Sequence, residues 1–168
     1  MDELPQTNPT KPISDESFQA LISSLENIFN PTDLFKLRLR SVLFEISYKK
    51  GSNILNAGAK QSIIWFILDG LLQEITVDKH TFSTKTTWFW FKHNFVYAMP
   101  GFFDQEPSQI TINVVKDCKV VFISYENWKV LKDSAWKSIS RFLFAINNVA
   151  YLILIILFSY WGLYNVFN

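Results

Sequence analysis

The stretch Lys49-Lys50-Gly51-Ser52-Asn53-Ile54-Leu55-Asn56-Ala57-Gly58, followed by Ile63-Ile64-Trp65-Phe66-Ile67-Leu68-Asp69-Gly70, decides the fold. Two glycine turns flank a short apolar segment, and an apolar strand then stops at Asp-Gly. Glycine supplies the φ > 0 conformations of tight turns, and Asp-Gly between apolar runs is a hairpin signal. The stretch predicts antiparallel strands joined by short turns.

Outward from it the pattern keeps a period of two. Val42, Phe44, Ile46 and Tyr48 alternate with Leu43, Glu45, Ser47 and Lys49, as in a half-buried strand. Further strands are expected at residues 63–68, 71–77, 81–91, 109–115 and 119–124. Turns are expected at Asp69-Gly70, Asp78-Lys79-His80, Lys92-His93-Asn94 and Lys116-Asp117. Many short strands at this spacing suggest an antiparallel roll or barrel. Helices frame it. Ser14 or Asp15 can cap a helix through Asn30, with Phe18, Leu21, Ile22, Leu25 and Ile28 on one face. Pro31-Thr32-Asp33 restarts a short helix with Leu34, Phe35 and Leu37 as its apolar set. Ser124 can cap a short helix through Leu131, and Asp133 or Ser134 a long one that runs into an apolar C-terminal stretch.

Composition narrows the function. A length of 168 residues suits one domain, and a net charge of +1 gives no electrostatic case for nucleic acid or an anionic membrane surface. Aromatic residues make up 17%, including 16 Phe and 6 Trp, which points to a core or pocket filled by rings. The single cysteine, Cys118, cannot form an internal disulfide, so a reducing, cytoplasmic setting is expected. Met1-Asp2-Glu3-Leu4 lacks the apolar run of a signal peptide. His80 and His93 fall in separate turns without spaced Cys or carboxylate partners, so no metal site is expected. Asp69, Glu74 and Asp78 read as solvated charge, and Cys118 has no His or Asn pattern around it. No P-loop, dinucleotide fingerprint or Gly-x-Ser-x-Gly elbow occurs, and no enzyme activity is expected.

The glycine cadence of residues 49–70, with its order of helix, strands, short helix and long helix, resembles the sensory domain of the Crp/Fnr superfamily over roughly residues 15–150. The resemblance implies an α+β, mainly β fold: an antiparallel double-stranded β-helix or jelly-roll (β-roll), with N-terminal helices and a long C-terminal helix. On this frame residues 1–13 form a loose arm, 14–132 the β-roll domain with its flanking helices, and 133–168 the long apolar helix. The family's cyclic-nucleotide cassette follows the pattern Gly-Glu-x-x-x-(x6)-Arg-x-Ala, in which the glutamate takes the ribose hydroxyl and the arginine the cyclic phosphate. Here Tyr97 stands at the glycine position, Ala98 at the glutamate and Ser108 at the arginine. Between Phe95 and Val115 there is no Lys or Arg, only Asp104 and Glu106. A buried phosphate needs such a cation or several aimed N–H donors to offset its desolvation. Cyclic AMP is therefore not expected, and no cofactor is implied.

What remains around the cassette is Trp88, Trp90, Phe91, Phe95, Tyr97, Phe102 and Phe103, with Ser108 and Gln109 as polar contacts. Two readings stay open: a pocket for a neutral small molecule, or a former site repacked into core. The Pro107-Ser108 step and the Phe-rich loop resemble divergent Bacteroidetes-type regulators of the same superfamily. In such regulators a helix-turn-helix domain follows the long helix, and these 168 residues leave no room for it, so direct DNA binding is not expected. Lys129, Lys132, Lys137 and Arg141 read as a solvated helix face.

After Arg141 no charged side chain appears in the remaining 27 residues. Phe142, Ala145, Ile146, Val149, Leu152 and Ile153 fall at helical spacing and supply the seam of a homodimer. Residues 149–167 are also long and apolar enough to anchor the chain in a membrane, with Lys132, Lys137 and Arg141 on the flank that stays cytoplasmic. A third reading is a nonstandard tail after about Tyr151, left by an interrupted reading frame. All three remain open at this point.

Overall fold

The computed structural model describes residues 9–78, 81 and 83–134. Ten elements follow in order: β1 (Lys11–Pro12), α1 (Asp15–Glu26), α2 (Asp33–Ser41), β2 (Phe44–Tyr48), β3 (Asn53–Leu55), β4 (Ile63–Val77), β5 (Thr84–Trp90), β6 (Phe95–Val96), β7 (Thr111–Ser124) and α3 (Tyr125–Ser134). The strands are all antiparallel, in the order β1-β2-β7-β4-β5, with β3 on β7 and β6 on β4. The two long strands β4 and β7 form a spine. β2 and β3 follow each other along the outer edge of β7, and β6 and β5 along that of β4. This is the expected mainly β, antiparallel roll flanked by helices.

The spine also explains why residues 63–68 are apolar without alternation. Ile64 and Phe66 of β4, with Val121 and Ile123 of β7, pack on one face against Leu21, Leu25, Phe35 and Leu39 of the helices. Trp65 and Ile67, with Val120 and Phe122, face the other way and pack with Ile46, Leu72, Val96 and Ile112. Both faces of the strands are covered, and a two-sided strand has no polar side to show.

Two expected turns are not turns. Asp69-Gly70 and Lys116-Asp117 lie inside β4 and β7, where the register of the pair shifts between Ile67 and Leu72. At Gly70 φ is +114°, and a Cβ there would lie 2.2 Å from Cys118 Sγ and 2.7 Å from the Asp117 carbonyl oxygen. The glycine thus serves a bulge with close backbone approach, the other use of glycine in a strand pattern. The strands expected at 63–68 and 71–77 are one, as are those at 109–115 and 119–124. The turn at Lys92-His93-Asn94 forms as expected, with His93 at φ +69° and Asn94 N–H donating to the Phe91 carbonyl. His93 is exposed and stacks on Phe66.

The helices begin where their caps predict. Ser14 Oγ accepts from Ser17 N–H, and Thr32 Oγ1 accepts from Phe35 N–H. α1 stops at Glu26, so Ile28 lies beyond the helix and is half exposed. In α2 the inward pair is Phe35 and Leu39, four residues apart, whereas Leu34 and Leu37 point outward at 56% and 68% exposure. Ser124 caps α3 by accepting from Asn127 N–H, and α3 runs three residues past the expected Leu131. The expected long helix from residue 135 onward lies outside the described residues.

Candidate ligand site

The cassette segment is the loop of residues 97–110 between β6 and β7. It is bolted to the turn at residues 57–61 by its backbone. Gly58 N–H donates to the Ser108 carbonyl (2.7 Å), Ser108 N–H donates to the Ala59 carbonyl (2.9 Å), and Lys60 bridges Pro107. Ser108, at the arginine position, is 3% exposed and closes on its own turn. Its hydroxyl donates to the Ile110 carbonyl (2.9 Å) and accepts from Ile110 N–H (3.1 Å).

Ala98, at the glutamate position, is 2% exposed, and its N–H donates to Gln61 Oε1 at 2.7 Å. Gln61 is 1% exposed, and its Nε2 donates to the Ile63 carbonyl at 2.7 Å. Gln105, in the left-handed region at φ +54°, donates from Nε2 to the Phe102 carbonyl (2.6 Å) and the Gln61 carbonyl (3.2 Å). Two glutamines thus meet the inward polar groups of the loop. The loop is also tight at Gly101, where a Cβ would fall 2.5 Å from the Ala98 carbonyl oxygen.

The apolar half of the loop is packed. Phe102 is fully buried, with ring centroids 5.3 Å from Phe103, 5.4 Å from Tyr125 and 6.5 Å from Trp128. Phe103 meets Trp128 at 5.8 Å and Tyr97 at 5.7 Å, all edge to face. Burial pushes the Tyr97 hydroxyl up to about 12. The loop is therefore welded by rings to the first turn of α3.

The seven aromatic residues expected as one rim are spread over three environments. Phe95, Tyr97, Phe102 and Phe103 belong to the core cluster under the helices. Trp90 and Ala98 belong to the cluster inside the roll. Trp88 and Phe89 of β5 and Phe91 just after it are exposed, around an open concavity of about 320 Å³ lined with Thr86 and Thr87. Gln109 is exposed. Trp90 Nε1 is buried without a hydrogen-bond partner, the one polar loose end among these residues. No group of His, Cys, Asp and Glu suited to a metal ion occurs among the described residues. The proposed seam residues Phe142, Ala145, Ile146, Val149, Leu152 and Ile153 lie outside the described residues, as does His80.

Sequence reasoning missed three polar side chains. Gln61 and Gln105 look like ordinary turn residues, and nothing in their neighbours marks them. Glu45 alternates with the apolar residues of a half-buried strand, yet it is 1% exposed. The outer face of β2 there is covered by the N-terminal segment, and Glu45 Oε1 accepts from Ser14 N–H (2.8 Å) and Ser14 Oγ (2.5 Å).

These features define a cyclic-nucleotide-binding-like β-roll: a strand spine, a loop closing onto the roll, and helices on one face. The fold is shared with a cyclic nucleotide-binding domain from Methylobacillus flagellatus KT, at TM-score 0.73 and 13% identity over 83% of this chain and 79% of that one. Catabolite activator protein of Thermus thermophilus matches at TM-score 0.60 and 15% identity, over 85% of this chain and 62% of that one. The regulatory subunit of a cAMP-independent protein kinase A from Trypanosoma brucei matches at TM-score 0.59 and 15% identity, over 82% of this chain and 52% of that one. The chain thus spans about half to four-fifths of the length of these structures. No family model matches it, and no curated protein matches it in sequence.

Proposed function

We propose that this chain is a non-catalytic sensory domain of a regulatory protein, cytoplasmic and homodimeric, whose cassette loop takes a neutral small molecule or nothing in place of a cyclic nucleotide. The observation that carries this reading is the closed loop. At the positions where the resemblance puts the anion's partners stand Ala98 and Ser108, both buried and both already hydrogen-bonded within the chain. An anion entering there would find no cation between Phe95 and Val115 and two carboxylates, Asp104 and Glu106. That a cAMP-independent kinase subunit shares this fold agrees with such a reading.

The loop's state would reach the rest of the protein through Phe102 and Phe103, which pack on Tyr125 and Trp128 of α3. Effector binding would act as a population shift between two dispositions of that helix and of the dimer seam at Phe142–Ile153. A second reading is a membrane-tethered interaction module, favoured by the uncharged run of residues 149–167. Among the described residues no helix is long and apolar enough to cross a membrane.

Isothermal calorimetry of the full chain with cyclic AMP and cyclic GMP tests the first claim: no heat of binding is expected, and stoichiometric micromolar binding overturns it. Light scattering of the full chain without detergent tests the second. A clean dimer supports the sensory domain, and a chain recovered only in detergent supports the tethered module.

A further inference from the structure

The loop's inward-facing backbone donor already has an occupant. Ala98 N–H is buried, and a buried amide without a partner costs as much as its lost desolvation. Here its acceptor is the side-chain carboxamide of Gln61, 37 residues away in the chain. Gln61 is itself held at three points. Its Nε2 donates to the Ile63 carbonyl at the start of β4, its carbonyl accepts from Gln105, and its flanking turn is stitched to residues 107–108. Gln105 adopts φ +54° to reach both the Gln61 and Phe102 carbonyls. A non-glycine residue stays in that region only where its contacts over-determine it.

We infer that Gln61 is a built-in occupant of the cassette loop, a side chain that supplies from within the chain the acceptor a bound effector would bring. The inference rests on the reading that no anion sits in the loop, and it adds a consequence for regulation. The Ala98 amide is already paired within the chain, so an effector acting on it must first displace Gln61. Effector control of this domain is then either competitive with Gln61 or exerted elsewhere, as on the exposed aromatic strip of β5.

Amide hydrogen exchange on the full chain, read residue by residue, tests this. In Gln61→Ala the Ala98 amide should exchange about tenfold faster relative to the slowest amides of β4 and β7. The substitution removes roughly one acetamide from the side chain, so added acetamide should restore protection at Ala98 in the variant and leave the wild type unchanged. In Gln105→Ala the amides of residues 102–106 should loosen while Ala98 keeps its protection, because its own acceptor is intact. The inference is overturned if Ala98 protection falls only in step with the strand core, or if acetamide restores nothing. Nucleotide binding to the wild-type chain would defeat the functional reading above and leave the exchange result standing as a separate outcome.

Discussion

Replacing Glu45 by glutamine removes one charge from the junction between the N-terminal segment and the sheet while keeping the shape. Oε1 of Glu45 accepts two hydrogen bonds from Ser14, and Oε2 lies 3.3 Å from Lys11 Nζ and 3.5 Å from Lys119 Nζ. Desolvation pushes the carboxyl up, but the hydrogen bonds from Ser14 and Ser17 and the Lys119 charge outweigh it, lowering it from 4.5 to about 2. At 1.36 kcal/mol per tenfold change in proton affinity, that gap is worth about 3 kcal/mol at most. The two ammonium groups are 64% and 41% exposed, and solvent screening brings the expected value to about 2 kcal/mol. Because the folded group is the stronger acid, its contribution is complete above pH 4.5 and is lost as pH falls toward 2. Urea unfolding of wild type and Glu45→Gln at several pH values should show a gap of about 2 kcal/mol at neutral pH that closes on acidification. A neutral-pH gap below about 0.5 kcal/mol, or one that persists unchanged in acid, refutes the argument.

Three further outcomes follow from contacts already described. Gly70→Ala should cost about 2–4 kcal/mol in urea unfolding, because its Cβ meets Cys118 and Asp117; Gly51→Ala, at φ +88° with nothing within 4 Å, should cost only about 1 kcal/mol. Burial pushes the Cys118 thiol up to about 11, so an aromatic disulfide reagent at pH 8 should label the native chain about 100-fold or more slower than the urea-unfolded one. Phe102→Ala should destabilise by about 3–5 kcal/mol and weaken the near-ultraviolet circular dichroism, because the ring packed on Trp128 is gone.

The fold was legible because its signals are local. Caps at Ser14 and Ser124 and the existence of a strand at Phe44–Tyr48 depend only on near neighbours, and they read correctly. Asp69-Gly70 misled because the same dipeptide serves a hairpin and a bulge, and only the partner strand decides which. In α2 the choice of Leu39 over Leu34 and Leu37 depends on where the sheet lies, which the helix's own sequence does not encode. Of the candidate site, the absence of charge at Ala98 and Ser108 was visible in the sequence. The glutamine contacts of the loop were not, because Gln61 acts across 37 residues and a glutamine in a turn ordinarily faces water.

α3 follows β7 without an intervening residue, Ser124 ending the strand and Tyr125 beginning the helix. The Tyr125 N–H donates to the Ser62 carbonyl and Asn127 Nδ2 to the Val42 carbonyl, so the root of the helix is clamped from two sides. Such a joint makes the helix a lever with a fixed fulcrum. Its ten residues span about 15 Å, and a tilt of about 10° at the aromatic root swings the far end by nearly 3 Å. Phe102 packs on that root through Tyr125 and Trp128, so the loop and the lever share one aromatic joint.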